Sequence, residues 1–144
     1  MSQINMMSKV SIIGCGNSGS KIAINFANIG YQIDIIDINY KNLMKLPQNL
    51  ISEGYLNPMV GNAMNILELK NLIDPDCNTC IILTGNDSTN ALISQIFKNE
   101  FNISKIICKI NDQITNELYS NLGFITINQN DLFNKKLLDL FESN

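Results

Sequence analysis

The run Val10-Ser11-Ile12-Ile13-Gly14-Cys15-Gly16-Asn17-Ser18-Gly19 constrains the fold more than any other stretch of the chain. A segment suited to a buried strand enters three glycines spaced G-x-G-x-x-G, and a segment of helical periodicity follows. Each glycine has a steric reason in that setting. Gly14 permits a tight turn, Gly16 lets a phosphate approach the backbone, and Gly19 lets the helix lie close to the strand. The helix start would point N–H groups and about half a positive charge at an anion in the loop.

The remaining sequence repeats this alternation. β-Branched runs at 10–13, 32–37, 59–60, 79–84, 105–110 and 124–127 read as strands. Helical periodicity falls at 18–29, 39–46, 66–73, 88–101, 114–122 and 131–141. Gly30 sits where a helix C-terminal glycine belongs, and Pro47 stops the second helix. Strands alternating with helices predict an α/β fold: a doubly wound, Rossmann-type parallel sheet of six strands in the order 3-2-1-4-5-6, with helices on both faces. In the first helix, Ile22, Phe26 and Ile29 form the stripe expected to pack on the sheet. At 144 residues the chain suits one domain, expected over 9–144, with residues 1–8 as a frayed N-terminal segment.

Absent residue types exclude several chemistries. All ten bases are Lys, and the sequence has no Arg, His or Trp. Without imidazole there is no Ser-His or Cys-His nucleophile pair and no histidine metal ligand. Without guanidinium there is no bidentate clamp for a ribose 2′-phosphate. A net charge of −3 gives no positive field for nucleic acid. Four cysteines in a chain of this size fit reduced thiols rather than a disulfide scaffold. Neither a signal peptide nor an apolar stretch near 18 residues is present, so neither export nor direct membrane insertion is expected.

Candidate ligand contacts cluster where the strands end. Asp37 closes the second strand 18 residues beyond Gly19, where a carboxylate accepts the hydroxyls of an adenosine ribose; it could also cap the helix from Asn39. Ile38 follows it. Asn62 and Ala63 after the third strand would lie beside the base, although an Asx turn explains Asn62 equally. Thr84, Gly85, Asn86 and Asp87 lie across the switch point from the first strand, as ligand contacts or as helix caps. Lys109 would place a cation at the crevice mouth or snorkel into solvent. The candidate cofactor-binding set is therefore Gly14, Cys15, Gly16, Asn17, Ser18, Gly19, Asp37, Ile38, Asn62, Ala63, Thr84, Gly85, Asn86, Asp87 and Lys109. Asp34 is expected to be solvated or paired. Cys77-x-x-Cys80 has too few companions for a zinc site and enters a strand rather than a helix, so Cys80 and Cys108 read as core residues.

In order and spacing, the glycine loop, Asp37, Gly61-Asn62-Ala63, Leu83-Thr84-Gly85-Asn86-Asp87, Lys109-Ile110-Asn111-Asp112 and Leu122-Gly123 resemble the N-terminal nucleotide-binding domain of RCK proteins. These, also described as TrkA-N domains, are cytosolic regulators of Trk/Ktr potassium uptake systems and potassium channels. The resemblance covers the chain from Lys9 onward. It implies a cytoplasmic regulatory subunit or domain, peripheral to the membrane through its partner, that binds NAD(H) or an adenine nucleotide and gates a membrane potassium-transporting subunit. It further implies a homodimer, or an octameric ring, and no catalysis. Asn17 stands where the family often carries a basic residue, and Asn62 where it often carries Asp. The first departure favours NAD, NADH, AMP or ADP over ATP, while Asp37 and the missing Arg disfavour NADP.

A small NAD-dependent oxidoreductase, or a cofactor-binding fragment of one, is the alternative. It lacks residues for a substrate domain, a His, and any Tyr-x-x-x-Lys pair. The last helix carries Leu132, Phe133, Leu137, Leu138, Leu140 and Phe141, more apolar surface than one sheet face needs. A subunit interface at or beside this helix is expected.

Overall fold

Unbroken apolar, β-branched runs suit strands covered on both faces, the usual setting of a parallel sheet. The computed structural model describes residues 9–143, so the expected fraying of residues 1–8 lies outside the described residues. The elements are β1 (Lys9–Ile13), α1 (Asn17–Asn28), β2 (Gln32–Asp37), α2 (Tyr40–Leu43), α3 (Gln48–Ser52), β3 (Leu56–Val60) and α4 (Ile66–Leu72). β4 (Thr79–Ile82), α5 (Asp87–Glu100), β5 (Lys105–Lys109), α6 (Gln113–Asn121), β6 (Ile125–Ile127) and α7 (Gln129–Glu142) follow. The strands form one parallel, Rossmann-type sheet ordered β3-β2-β1-β4-β5-β6. β1 is central, with Val10 beside Ile33 of β2 and Thr79 of β4.

Alternation along each strand divides the core into two clusters. Ile13, Ile36, Ile82, Cys80 and Cys108 pack under α4 and α5 with Leu69, Ile93 and Phe97. Ile12, Ile33, Ile35 and Ile81 pack under α1, α2 and α3 with Ala23, Ala27, Leu43 and Leu50. All four cysteines are buried and free.

Two local expectations are corrected. The fully buried face of α1 is Gly19, Ala23 and Ala27; of the expected stripe, Ile22 and Phe26 pack against the edge of the same core while Ile29 is 71% exposed. Gly19 sets this rotation. A Cβ there would lie 1.8 Å from the Gly14 carbonyl oxygen, so the face that meets β1 must hold Gly19 and the residues four and eight further on. The helix read at 39–46 is also shorter, and Pro47 caps a second short helix, α3, rather than only ending the first. Leu43, Leu46 and Leu50 are buried from these two pieces, so the periodicity continued across the break.

At the opposite end of the sheet from the glycine loop, Lys9 Nζ lies 2.6 Å from Asp74 and 3.5 Å from the buried Asp34, which also accepts from Asn57 at 3.1 Å. Asp34 is thus paired rather than solvated. The Asp74 hydrogen bond raises the Lys9 pKa, and the same bond lowers that of Asp74. The carboxylate part of this stabilisation is present above the unfolded pKa of Asp and lost as pH falls through the folded one; the Lys9 part is lost only as pH rises through its raised value. Lys9→Met is expected to destabilise the fold by about 1–3 kcal/mol, because Asp34 stays buried without its cation. Urea unfolding at neutral pH measures this, and an unchanged midpoint would remove the pair from the stability account.

The sheet is unevenly covered on the α1 side. Ile12, Ile81, Ile107 and Ile125 lie in register across β1, β4, β5 and β6, and exposure along this row climbs from 0% at Ile12 through 7% at Ile81 to 48% at Ile125. Nor does α7 fold back over it: every residue of that helix is exposed. Among the described residues, no helix is long and apolar enough to cross a membrane.

Candidate functional site

The carboxyl ends of β1, β2, β3 and β4 enclose a cavity of about 350 Å³ at the topological switch point between β1 and β4. That is the small end of the usual range for ligand sites. Gly14 and Gly16 form its floor, with Asp37, Ile38 and Asn42 on one wall. Gly61, Asn62, Ala63 and Met64 form a second wall, and Leu83, Thr84, Gly85, Asn86, Thr89 and Ile93 a third.

The loop is built around backbone geometry. Gly14 has φ of +104° and lies against the Leu83 carbonyl, 2.8 Å from where a Cβ would stand, so only glycine fits there. Gly16 differs, because an added Cβ would meet no protein atom within 4 Å. Its open side faces the cavity, which is the cradle that a phosphate group requires.

Asp37 ties this loop to β2. Its Oδ2 accepts the Cys15 N–H at 2.7 Å and, more weakly, Asn42 Nδ2 at 3.4 Å, while Oδ1 accepts the Asn39 N–H at 2.6 Å. A carboxylate has about four acceptor positions, so room remains for a hydroxyl. The helix that follows is capped by Asn39, whose side chain accepts from Lys41 N, and not by Asp37. A carboxylate at the lip of an apolar cavity, beside an open glycine, suits a ribose phosphate.

Asn62 makes the Asx turn that its sequence allowed, accepting the Met64 N–H at 3.0 Å, and its own N–H donates to Glu68 at 2.7 Å. Its amide nitrogen remains available on the cavity wall. Asn86 caps α5 through the Thr89 N–H at 2.9 Å. The Thr84 hydroxyl is held by Asn90 Oδ1, which also accepts the Thr84 N–H at 3.0 Å.

Six of the candidate residues have places off the cavity wall. The Cys15 side chain turns into the core, and burial followed by the nearby Asp37 charge pushes its pKa to about 11, so it stays a neutral thiol. Asn17 and Ser18 open α1 beside Gly16 without lining the cavity, and Gly19 serves the close packing of α1 on Gly14. The Asp87 carboxylate instead accepts the N–H groups of Asn111 and Asp112 at 3.0 and 2.7 Å. Lys109, two residues beyond Ile107 on β5, shares its side of the sheet, the half-open face.

Asn42, Met64, Thr89 and Ile93 line the cavity outside the candidate set. Thr89 closes the polar run that follows the fourth strand, whereas the only sequence signal for Ile93 was its four-residue spacing from Thr89 along α5, which describes a core face equally well. Among the described residues, no group of three His, Cys, Asp or Glu side chains is placed to hold a metal ion.

Comparison with known proteins agrees with this fold. The curated relative TrkA, a Trk system potassium uptake protein of Mycobacterium tuberculosis, is 24% identical over 104 residues, which are 72% of this chain and 45% of TrkA. The chain thus spans about half the length of the curated relatives it matches. The TrkA-N domain of the Escherichia coli inner membrane protein ybaL superposes with a TM-score of 0.77 at 15% identity, covering 96% of this chain and all of that one (100%). The AMP-bound Kef C-terminal domain of Shewanella denitrificans gives 0.71 at 18% identity, covering 94% of this chain and 83% of that one. For the GsuK channel bound to NAD the score is 0.66 at 14% identity, covering 86% and 22%. Chains described as dehydrogenases share the fold as well. At these identities the superpositions establish the fold alone, whereas the TrkA-N domain model matches residues 10–129 directly. With its glycine loop, six-stranded sheet and a match over that length, the chain belongs to the TrkA-N domain family.

Proposed function

We propose that the cavity binds the adenosine-phosphate part of NAD(H), or AMP or ADP, and that the domain is a cytoplasmic regulatory module of a membrane potassium transporter or channel. The observation that carries this reading is Asp37, anchored to the glycine loop through Cys15 N–H and standing at the cavity edge beside Gly16. In the bound state a ribose hydroxyl donates to the remaining acceptor position of Asp37, the phosphates lie over Gly16 and the start of α1, and the base lies between Ile38, Asn62 and Met64. The AMP-bound Kef domain and the NAD-bound GsuK channel, both of similar fold, support an adenine nucleotide. Asp37 would repel a 2′-phosphate, which speaks against NADP. Asn17 supplies no cation for a triphosphate tail, which speaks against ATP.

Binding is favoured over turnover because Asp37 is the one ionisable side chain among the residues lining the cavity, and its oxygens already hold the loop. The likeness to TrkA supports a potassium-transporting partner. The bare face of α7 supports a homodimer as the smallest assembly, from which a larger ring such as an octamer would be built.

Asp37→Ala is expected to weaken NAD binding by a factor of about 10–100, the worth of hydrogen bonds to a charged group, and to narrow the preference for NAD over NADP. Titration calorimetry with both nucleotides reads this. Unchanged NAD affinity would remove Asp37 from the site and the ribose assignment with it.

A further inference from the structure

The first turn of α5 faces two ways. Thr89 and the preceding Thr84, Gly85 and Asn86 line the cavity, whereas Asp87 Oδ2 holds the N–H groups of Asn111 and Asp112 in the loop after β5. Between the two, fully buried Asn90 uses its whole hydrogen-bonding capacity. Its Oδ1 accepts the Thr84 N–H and hydroxyl, and its Nδ2 donates to the carbonyls of Thr84 at 3.1 Å and Lys109 at 2.8 Å.

Asn111 in turn holds the root of α7. Its side-chain oxygen accepts the Gln129 N–H at 2.9 Å, and its carbonyl accepts Asn128 Nδ2 at 3.3 Å. Asn128 is itself the cap of α7, accepting from Asn130 and Asp131. Because no α7 side chain is buried, its direction is set at this root rather than by packing along its length.

We propose that the first turn of α5 couples the cavity to α7, so that a nucleotide ordering Thr84, Gly85 and Asn86 fixes Asn90 and Asp87 and tightens the grip of Asn111 on the helix. This rests on the nucleotide reading above. By linkage, whatever docks on α7 and favours the held state raises nucleotide affinity by the same factor.

Hydrogen exchange on the full chain tests it, at one protein concentration, with and without saturating NAD or AMP. In wild type the nucleotide should slow exchange at residues 111, 112 and 129–132 by about threefold or more, the equivalent of one hydrogen bond. Asn111→Ala should bind NAD with affinity within about threefold of wild type and lose the slowing at 129–132. Without ligand, the same variant should exchange faster at Gln129. Should Asn111→Ala fail to fold, Asp87→Ala cuts the link at its other end. Nucleotide bound with no change at 129–132, slowing retained in the variant, or unaltered Gln129 exchange without ligand would each overturn the coupling and leave the nucleotide site standing. Failure of wild type to bind either NAD or AMP would overturn both.

Discussion

Gly16→Val is expected to abolish NAD binding, by a factor of at least about 100, while unfolding at nearly the wild-type temperature. Its added side chain meets no protein atom within 4 Å of the Cβ position and projects into the cavity where a phosphate would lie. Gly19→Ala should do the reverse of this, since its Cβ falls 1.8 Å from the Gly14 carbonyl oxygen. Relief requires α1 to move off β1, at a cost of about 3 kcal/mol or more. Two glycines of one motif thus separate binding from folding. Calorimetry with NAD and thermal unfolding of both variants check this, and a Gly16→Val protein with normal affinity would detach the loop from the site.

Removal of residues 131–144 is expected to convert a dimer into a monomer. Leu132, Phe133, Leu137, Leu138 and Leu140 of α7 are between 49% and 63% exposed, and Phe141 is 87% exposed. The half-open sheet face at Ile107, Ile125 and Ile127 belongs to the same chain, and α7 leaves it uncovered. Fully covering an exposed leucine or phenylalanine is worth about 1.5–3 kcal/mol, and most of these are already about half covered, so a second copy must cover several of them to offset the cost of association. The same six side chains leave a lone copy aggregation-prone. Sedimentation at micromolar concentration should give a dimer for the full chain, and a monomer for the shortened chain and for Leu137→Asp. A monomeric full chain would contradict the interface.

Much of this was legible from the residues because the fold is written in local chemistry. Strand order and the glycine loop follow from β-branched runs, turn glycines and spacing, and the structure adds little to them. The rotation of α1 was not legible. Ile22, Phe26 and Ile29 made the more apolar stripe, but the contact at Gly19 overrides hydrophobicity by demanding the smallest face. Asp87 was ambiguous for a related reason: a carboxylate after a strand reads alike whether it meets a ligand or, as here, the N–H groups of a neighbouring loop 24 and 25 residues away in sequence. The bridging role of Asn90 gave no signal, because a buried asparagine in a helix is recognised only when its four bonds are in place.

The central claim, that the cavity beside Asp37 is an adenine-nucleotide site, is tested most directly by thermal unfolding of the wild-type chain with NAD, NADH, AMP, ADP, ATP and NADP. A ligand at about 100 times its dissociation constant adds roughly 2.7 kcal/mol, which raises the unfolding temperature of a domain this size by roughly 8–10 °C. NAD or NADH, or AMP or ADP, should produce such a rise, with smaller shifts for ATP and NADP. No shift with any of the six, or a rise with NADP alone, would contradict the claim.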